Sequence, residues 1–173
     1  WAIDNIAITT TANPTPTTVT EDFDHAIDSS FWQTISFGTE GTQFTGSAGN
    51  ALVFSGSGQR HAFTIRRAPR STVIPYSALF LSNSSNGGEQ VDSGEEVVLE
   101  YTTDGGTTFT VVNTYLPANY SAFTTVPETI PAAAQLSNTQ FRWRQLSNSG
   151  SSFDQWAIDN IAITTTANPT PTT

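Results

Sequence analysis

Short alternations of apolar and polar residues run through the middle of the chain. Apolar residues stand two positions apart in five places, a period typical of strands with one buried face. These are Leu52 and Phe54, Phe63 and Ile65, Val97 with Leu99 and Tyr101, Phe109 and Val111, and Phe141 and Trp143. Helical spacing never persists for twelve residues without an interrupting glycine, proline or turn cluster. The pattern predicts an all-β jelly-roll β-sandwich of two antiparallel sheets.

The segment YTTDGGTTF, residues 101–109, predicts a hairpin between two of these strands. Its two glycines tolerate positive φ, and Asp104 can bond the amides of its own turn. Thr102, Asp104, Gly106 and Phe109 also have the spacing of an Asp box. We interpret this box as a turn-stabilising element rather than a catalytic one.

An internal repeat organises the chain. Residues 1–18, WAIDNIAITTTANPTPTT, recur letter for letter as residues 156–173, which we call the first and second copies. Such identity indicates either a sequence with a period of 155 residues or a recent duplication, and we interpret the chain as one period plus an overlap. The predicted division is a terminal strand of a preceding unit at 1–8, a Thr/Pro-rich linker at 9–20, the sandwich at 21–163, and the start of the next linker at 164–173.

The linker has a Pro-Thr-Pro centre that favours an extended, semi-rigid backbone. Threonine-proline tracts often carry sugars. The predicted O-linked positions are Thr15, Thr17, Thr18, Thr170 and Thr172. Two acceptor triplets for N-linked glycans begin at Asn83 and Asn119, in predicted loops, although such triplets also arise by chance.

Composition excludes several kinds of site and disfavours several kinds of partner. The chain has no Cys, its six basic residues are all Arg, and its formal net charge is −9. Absence of Cys excludes disulfides, thiolate metal sites and cysteine nucleophiles. The negative charge disfavours nucleic acid and anionic membranes as partners, and no apolar run is long enough for membrane insertion.

The order of several motifs along 21–163 resembles that of the subrepeat of reelin-type proteins. The motifs are Asp22-Phe23-Asp24, Phe31-Trp32, Gly49-Asn50-Ala51-Leu52 with Phe54, Gly56 and Arg60, Gly94–Tyr101, Asp104-Gly105-Gly106, Phe141-Arg142-Trp143 and Trp156–Ile161. The resemblance implies a jelly roll in an extracellular, tandemly arrayed protein, sometimes with calcium near the domain ends. The chain lacks cysteine and lysine, so neuronal signalling is not implied.

The last predicted strand changes phase. Its apolar residues are Trp156 and Ile158, then Ile161 and Ile163, which predicts a β-bulge at Asp159-Asn160. If the first and last strands are neighbours, as in the family's jelly roll, Asp159 can meet Asp22 and Asp24 and form a Ca²⁺ site. The alternative is that Asp159 bonds a turn amide.

No enzymatic constellation stands out. The only two histidines, His25 and His61, lack metal-ligand spacing, and no nucleophile elbow occurs. Glu95, Glu96 and Glu100 are interpreted as solvated charges rather than as a glycosidase pair. Arg142 and Arg144 are expected to form a ladder with glutamates on a neighbouring strand.

The first copy has the apolar content of a buried strand, so we expect it to dock in another unit. The predicted function is structural: a repeating unit of an extracellular or cell-surface filament, joined head to tail to copies of itself as covalent repeats or as separate chains. The predicted assembly residues are Trp1, Ile3, Ile6, Ile8, Trp156, Ile158, Ile161 and Ile163. The alternative is a carbohydrate- or surface-binding adhesin module, whose aromatic platform would be Trp32, Tyr76, Tyr115 and Tyr120.

Overall fold

A computed structural model describes residues 15–44, 49–65, 71–81 and 89–165, and within 71–81 the side chain of Leu79 alone. These residues form eleven strands and two short 3-10 helices. The strands are β1 (Thr17–Glu21), β2 (Trp32–Ser36), β3 (Gly38–Gly41), β4 (Ala51–Phe54), β5 (His61–Thr64), β6 (Ser71–Leu81), β7 (Val97–Thr102), β8 (Thr110–Tyr115), β9 (Thr124–Pro127), β10 (Gln140–Gln145) and β11 (Trp156–Thr165), and the 3-10 helices are Pro117–Asn119 and Ala132–Ala134.

The strands make two antiparallel sheets. The first has the order β3-β4-β11-β6-β9, with β1 also paired to β11, and the second has the order β2-β5-β10-β7-β8. Side chains from both sheets interdigitate in one core that includes Trp32, Phe54, Trp143, Trp156 and Ile158. The all-β, two-sheet sandwich that the alternation predicted is confirmed.

Two predictions about strands are confirmed in detail. β7 and β8 pair across the Asp104-Gly105-Gly106 turn. In β11, the register against β6 shifts between Asp159 and Ala162, which is the predicted bulge. Asn160 sits in the bulge at φ 50°, a left-handed conformation that asparagine tolerates better than most residues.

The predicted linker boundaries need correction. Residues 17–20, assigned to the linker, belong to β1, and Thr164 and Thr165 belong to β11. The two strands pair with each other from Thr17 opposite Thr165 to Glu21 opposite Ile161. Thr17 and Thr18 are exposed, so this segment lacks the apolar alternation by which a strand is recognised, and backbone pairing alone makes it one.

Candidate functional site

The second copy of the duplicated segment forms β11, the central strand of the first sheet. β6 pairs with β11 along one side, whereas β4 and β1 pair with its beginning and its end on the other side. We call the space that this strand fills, between β6 and the pair β4 and β1, the β11 slot. The slot is therefore bounded by three strands of the same sandwich.

The apolar side chains of β11 are core residues. Trp156, Ile158, Ile161 and Ile163 are fully buried, and the ring of Trp156 stacks on that of Phe54 with centroids 3.8 Å apart. Burial of each such side chain stabilises the fold by roughly 1.5–3 kcal/mol. The matching residues of the first copy, Trp1, Ile3, Ile6 and Ile8, lie outside the described residues.

The chain enters and leaves the sandwich at one place. Thr17, the first residue of β1, is paired with Thr165, the last residue of β11. The hydroxyl of Thr165 donates to the Thr17 carbonyl oxygen at 3.3 Å, and the Thr18 and Thr164 hydroxyls are 2.8 Å apart. We call this the linker end. The opposite end of β11, at Trp156, is about 30 Å away along a ten-residue strand.

An acidic group lies beside the bulge in β11. Asp159 is almost fully buried and accepts hydrogen bonds from the backbone N–H of Asn160 at 2.7 Å and from its side-chain amide at 2.9 Å. Burial raises the pKa of Asp159 to about 6, and the charges of Asp24 and Asp22 act in the same direction. Asp22 and Asp24 are therefore near enough for their charges to act on Asp159.

The three carboxylates do not form a set of metal ligands. Among the residues that the structure describes, no three His, Cys, Asp or Glu side chains are arranged to hold a metal ion. Besides the bonds to Asp159, Asp22 accepts the Asp24 N–H at 3.2 Å and Asp24 accepts the Asn50 N–H at 2.7 Å. These contacts match the alternative of carboxylates that hold turn amides. The Ca²⁺ site stays a prediction.

A glycine allows the close approach of Asp24. Gly49 has φ 103°, and a Cβ placed on it would lie 1.9 Å from an oxygen of Asp24. A side chain there would displace the carboxylate, which explains the Gly-Asn pair in this motif. Next to these residues is a cavity of about 340 Å³, lined by Thr20, Glu21, Asp22, Asn160, Ile161 and Ala162.

Glu21 is a site residue that sequence reasoning missed. Its buried carboxylate accepts the N–H groups of Phe23 and Asp28, both at 3.1 Å, and the indole N–H of Trp32 at 3.3 Å. It thereby fixes the loop that carries Asp22 and Asp24. A lone glutamate at the end of a threonine-rich segment gives no sequence signal for this role.

The Asp box has the structural role assigned to it. Asp104 accepts the hydroxyls of Thr102 at 2.7 Å and Thr108 at 2.6 Å, and the backbone N–H of Thr107 at 3.0 Å. The Thr108 hydroxyl, followed by backbone and Thr102 donors, lowers the pKa of Asp104 far below its usual range. The N–H of Gly106 donates to the Thr102 hydroxyl at 3.1 Å. All of these bonds close one turn.

The outer face of the second sheet carries a charged cluster. Glu100 binds Arg142 at 2.7 Å and Arg144 at 2.6 Å, as the predicted ladder requires. The Arg142 guanidinium also lies 3.3 Å from the centroid of the Phe109 ring. Glu100 is only 3% exposed, so its interpretation as a solvated charge was wrong. Desolvation opposes its ionisation, but the Arg144 and Arg142 bonds outweigh it and keep the pKa of Glu100 low.

The described side chains of the predicted aromatic platform do not form an exposed surface. Trp32 and Tyr115 are buried in the core, because their positions on β2 and β8 face the other sheet, and Tyr120 packs half-buried against them. The side chain of Tyr76 lies outside the described residues. Sequence alternation did not show which face of each strand was the inner one.

The predicted glycosylation residues are only partly described. Asn119 is exposed at the end of a 3-10 helix, and Thr15, Thr17 and Thr18 are exposed as well. Asn83, Thr170 and Thr172 lie outside the described residues. Exposure makes attachment sterically open at the four described positions.

Arg60 organises the end of the sandwich opposite the linker end. Its fully buried guanidinium donates to the carbonyl oxygens of Gly56 at 2.8 Å, Asp154 at 2.7 Å and Gly150 at 2.6 Å. It also donates to the side-chain oxygen of Gln145 at 2.9 Å. Arg60 thus ties the β4–β5 loop to the β10–β11 loop that delivers β11 to its slot.

Comparison with known proteins agrees with this architecture. The family model of reelin subrepeat B matches residues 38–164, which run from the start of β3 almost to the end of β11. The chain belongs to the reelin subrepeat B family. The resemblance inferred from its motifs is confirmed.

Solved structures similar to this reelin subrepeat are also β-sandwich modules. A mutant of the family 29 carbohydrate-binding module CBM29-2 aligns with a TM-score of 0.53 at 11% identity, covering 88% of this chain and 94% of that one. An F5/8 type C domain of a Bacteroides fragilis protein aligns with a TM-score of 0.40 at 12% identity, covering 88% and 93%. At such identity the first match supports the fold alone. Within the described residues, no helix is long and apolar enough to cross a membrane.

Proposed function

We propose that this reelin subrepeat is a non-enzymatic structural unit of an extracellular or cell-surface fibre. In the fibre, successive sandwiches are joined through the duplicated strand and its linker. The observation that carries the proposal is that a strand made of core-forming residues occurs twice in the sequence, whereas the sandwich has one β11 slot and the second copy fills it.

The burial of β11 explains why the first copy needs a neighbour. Trp156 and the three isoleucines of β11 are fully buried, and the first copy has the same side chains. In water they would expose a large apolar surface and unpaired backbone amides, which promotes association. In a covalent array the first copy is the last strand of the preceding unit, whose slot satisfies both requirements. A separate neighbouring chain offers its slot when its own second copy has left it.

Two forms of the fibre are compatible with the repeat. The units are successive domains of one long chain, or separate chains that donate a strand to a neighbour. Both are head-to-tail contacts between different surfaces, which do not close and so extend into a line.

Sedimentation velocity and negative-stain electron microscopy of the purified chain test the separate-chain form. After mild urea has released the second copy from its slot, we expect linear oligomers that grow with concentration, and we expect the Ile3→Asp/Ile6→Asp variant to remain monomeric. The covalent form is tested by microscopy of the native assembly, which should be a continuous fibre with one sandwich per 155 residues. A monomeric purified chain together with isolated globules in native material would contradict the proposal.

The outer face of the second sheet favours glycan binding as a second candidate function. Arg142 and Arg144 together carry two positive charges against the single carboxylate of Glu100, and the Arg142 guanidinium lies over the ring of Phe109. Arginine is suited to bidentate recognition of carboxylates. Affinity electrophoresis should show retardation by acidic but not neutral polysaccharides, and Arg144→Gln should abolish it. Equal mobility with and without acidic polysaccharide would exclude this function.

A further inference from the structure

The strand that fills the β11 slot has an exact sequence duplicate at the start of the chain. Residues 1–10 and 156–165 are the same ten letters, and the second set forms the whole of β11. We propose that the two copies are interchangeable occupants of the β11 slot, so that residues 1–10 close the sandwich of their own chain when the second copy is withdrawn. This inference concerns a single chain and does not require the fibre.

The pairing of β1 with β11 supplies the geometry. Thr165 lies opposite Thr17 in an antiparallel pair, where Cα atoms are about 4.5–5.5 Å apart. Thr10 is the residue of the first copy that corresponds to Thr165, and only residues 11–16 separate it from Thr17. Placed in the slot, the first copy would run into β1 through a six-residue hairpin loop, close to the usual hairpin range.

The two arrangements share the same core and differ in one connection. The second copy follows the β10–β11 loop, which is held by backbone hydrogen bonds. The Leu146 N–H donates to the Glu96 carbonyl oxygen at 2.9 Å, and the Gly56 N–H donates to the Ser151 carbonyl oxygen at 3.1 Å. Arg60 adds its bonds to two carbonyl oxygens of this loop. The first copy would arrive without these contacts. We therefore expect the second copy to hold the slot and the first to replace it only on its loss.

In a covalent array the consequence is exchange between units. Every copy of the strand stands between two sandwiches, one joined to it by the β10–β11 loop and the other by the linker, and it fits the slots of both. A strand pulled out of one slot could be replaced from the other side, so that the array would reclose after local opening. This device follows from the exact duplication and from the shared entry and exit point.

Matched core substitutions in the full chain test the proposal. Ile158→Asp/Ile161→Asp disables the second copy, Ile3→Asp/Ile6→Asp disables the first, and a four-fold variant disables both. We expect the first-copy variant to melt like the parent, the second-copy variant to keep a cooperative transition several degrees lower, and the four-fold variant to lose the transition. Loss of the transition in the second-copy variant alone would overturn the proposal.

A disulfide reports which strand occupies the slot. Ala157 lies opposite Val53, and Ala2 is its counterpart in the first copy. In the second-copy variant, Ala2→Cys with Val53→Cys should form an intramolecular bond, because the chain has no other cysteine. In the parent background, Ala157→Cys with Val53→Cys is the positive control. A disulfide-linked dimer in place of the intramolecular bond would show exchange between chains and overturn closure within one chain.

Discussion

At the scale of single residues, Arg60 joins the loops at one end of the sandwich through its hydrogen bonds. Three carbonyl oxygens and one amide oxygen converge on its buried guanidinium. Lysine could not reproduce this arrangement, because its ammonium is a point charge without the planar fork of arginine. The position therefore depends on the shape of the side chain as well as on its charge.

Arg60→Met should destabilise the sandwich by about 3–5 kcal/mol, since it leaves several buried acceptors without a donor. Arg60→Lys should recover only part of that loss. Urea denaturation followed by tryptophan fluorescence measures both free energies of unfolding. A loss below about 1 kcal/mol for Arg60→Met would mean that water replaces the guanidinium at little cost.

Asp159 should make stability depend on pH in an unusual direction. The native carboxyl has a pKa of about 6 against a reference value of 3.8, so between these values the folded state holds a proton that the unfolded state has released. The unfolded state binds fewer protons there, and the Asp159 contribution to stability falls as pH rises from about 4 to 6. We expect Asp159→Asn to remove this slope. Unfolding free energies of parent and variant from pH 3.5 to 7.5 give the difference curve, and a flat difference contradicts the prediction.

The same variant tests the predicted calcium site. If Ca²⁺ binds beside Asp22, Asp24 and Asp159, it stabilises the ionised carboxylates, and added Ca²⁺ should raise the melting temperature of the parent at pH 7. Asp159→Asn should lose that increase, and Mg²⁺ should not replace Ca²⁺ because it dehydrates reluctantly. An unchanged melting temperature at millimolar Ca²⁺ would leave the three carboxylates as holders of turn amides only.

At the scale of elements, the bulge in β11 is needed for the hydrogen bonds of Asp159 and not for the pairing of the sheet. Asp159 pairs with Ala78 and Ala162 with Tyr76, so β11 has one more residue than β6 between these two pairs. Removal of Asn160 would leave Trp156, Ile158, Ile161 and Ile163 on one face with a regular period of two. The inner face of the strand does not require the extra residue.

Deleting Asn160 alone should cost about 1–3 kcal/mol, because the buried Asp159 carboxylate loses both of its donors. Deleting Asn160 together with Asp159→Thr should recover most of the lost unfolding free energy, because no buried carboxylate is then left without hydrogen-bond donors. Thermal melts of the two variants and of Asp159→Thr alone provide the comparison. A double variant as unstable as the deletion would show that the bulge is needed for pairing with β1 or β6.

The sequence predicted those elements whose signals are local. Asp104-Gly105-Gly106 predicted the β7–β8 hairpin, and the phase slip at Asp159-Asn160 predicted the bulge. β1 was missed because its outward threonines resemble a linker, and β6 because Pro75 interrupts its pattern. The partners of Arg60 and Glu21 are mostly backbone groups brought close by the fold. No spacing in the sequence encodes such contacts, so neither residue's role was predicted.

At the scale of the whole molecule, the position of the linker end determines how the sandwiches are arranged along an array. Thr17 and Thr165 are paired neighbours, so each sandwich is attached at one end and not at two opposite ends. Successive sandwiches would then project from the line of linkers side by side. An end-to-end string of sandwiches would require entry and exit at opposite ends of β11.

This attachment limits the axial repeat of the fibre. In a covalent array the residue equivalent to Thr17 of the next unit is Thr172, seven positions after Thr165. Seven fully extended residues span at most about 25 Å, and the paired residues within a unit add about 5 Å. The repeat per unit should therefore not exceed about 30 Å, although β11 alone is about that long. Cryo-electron microscopy of native fibres measures the repeat directly. A repeat clearly above 35 Å would mean that β1 leaves β11 in the assembled state, because no stretching of the linker could supply the difference.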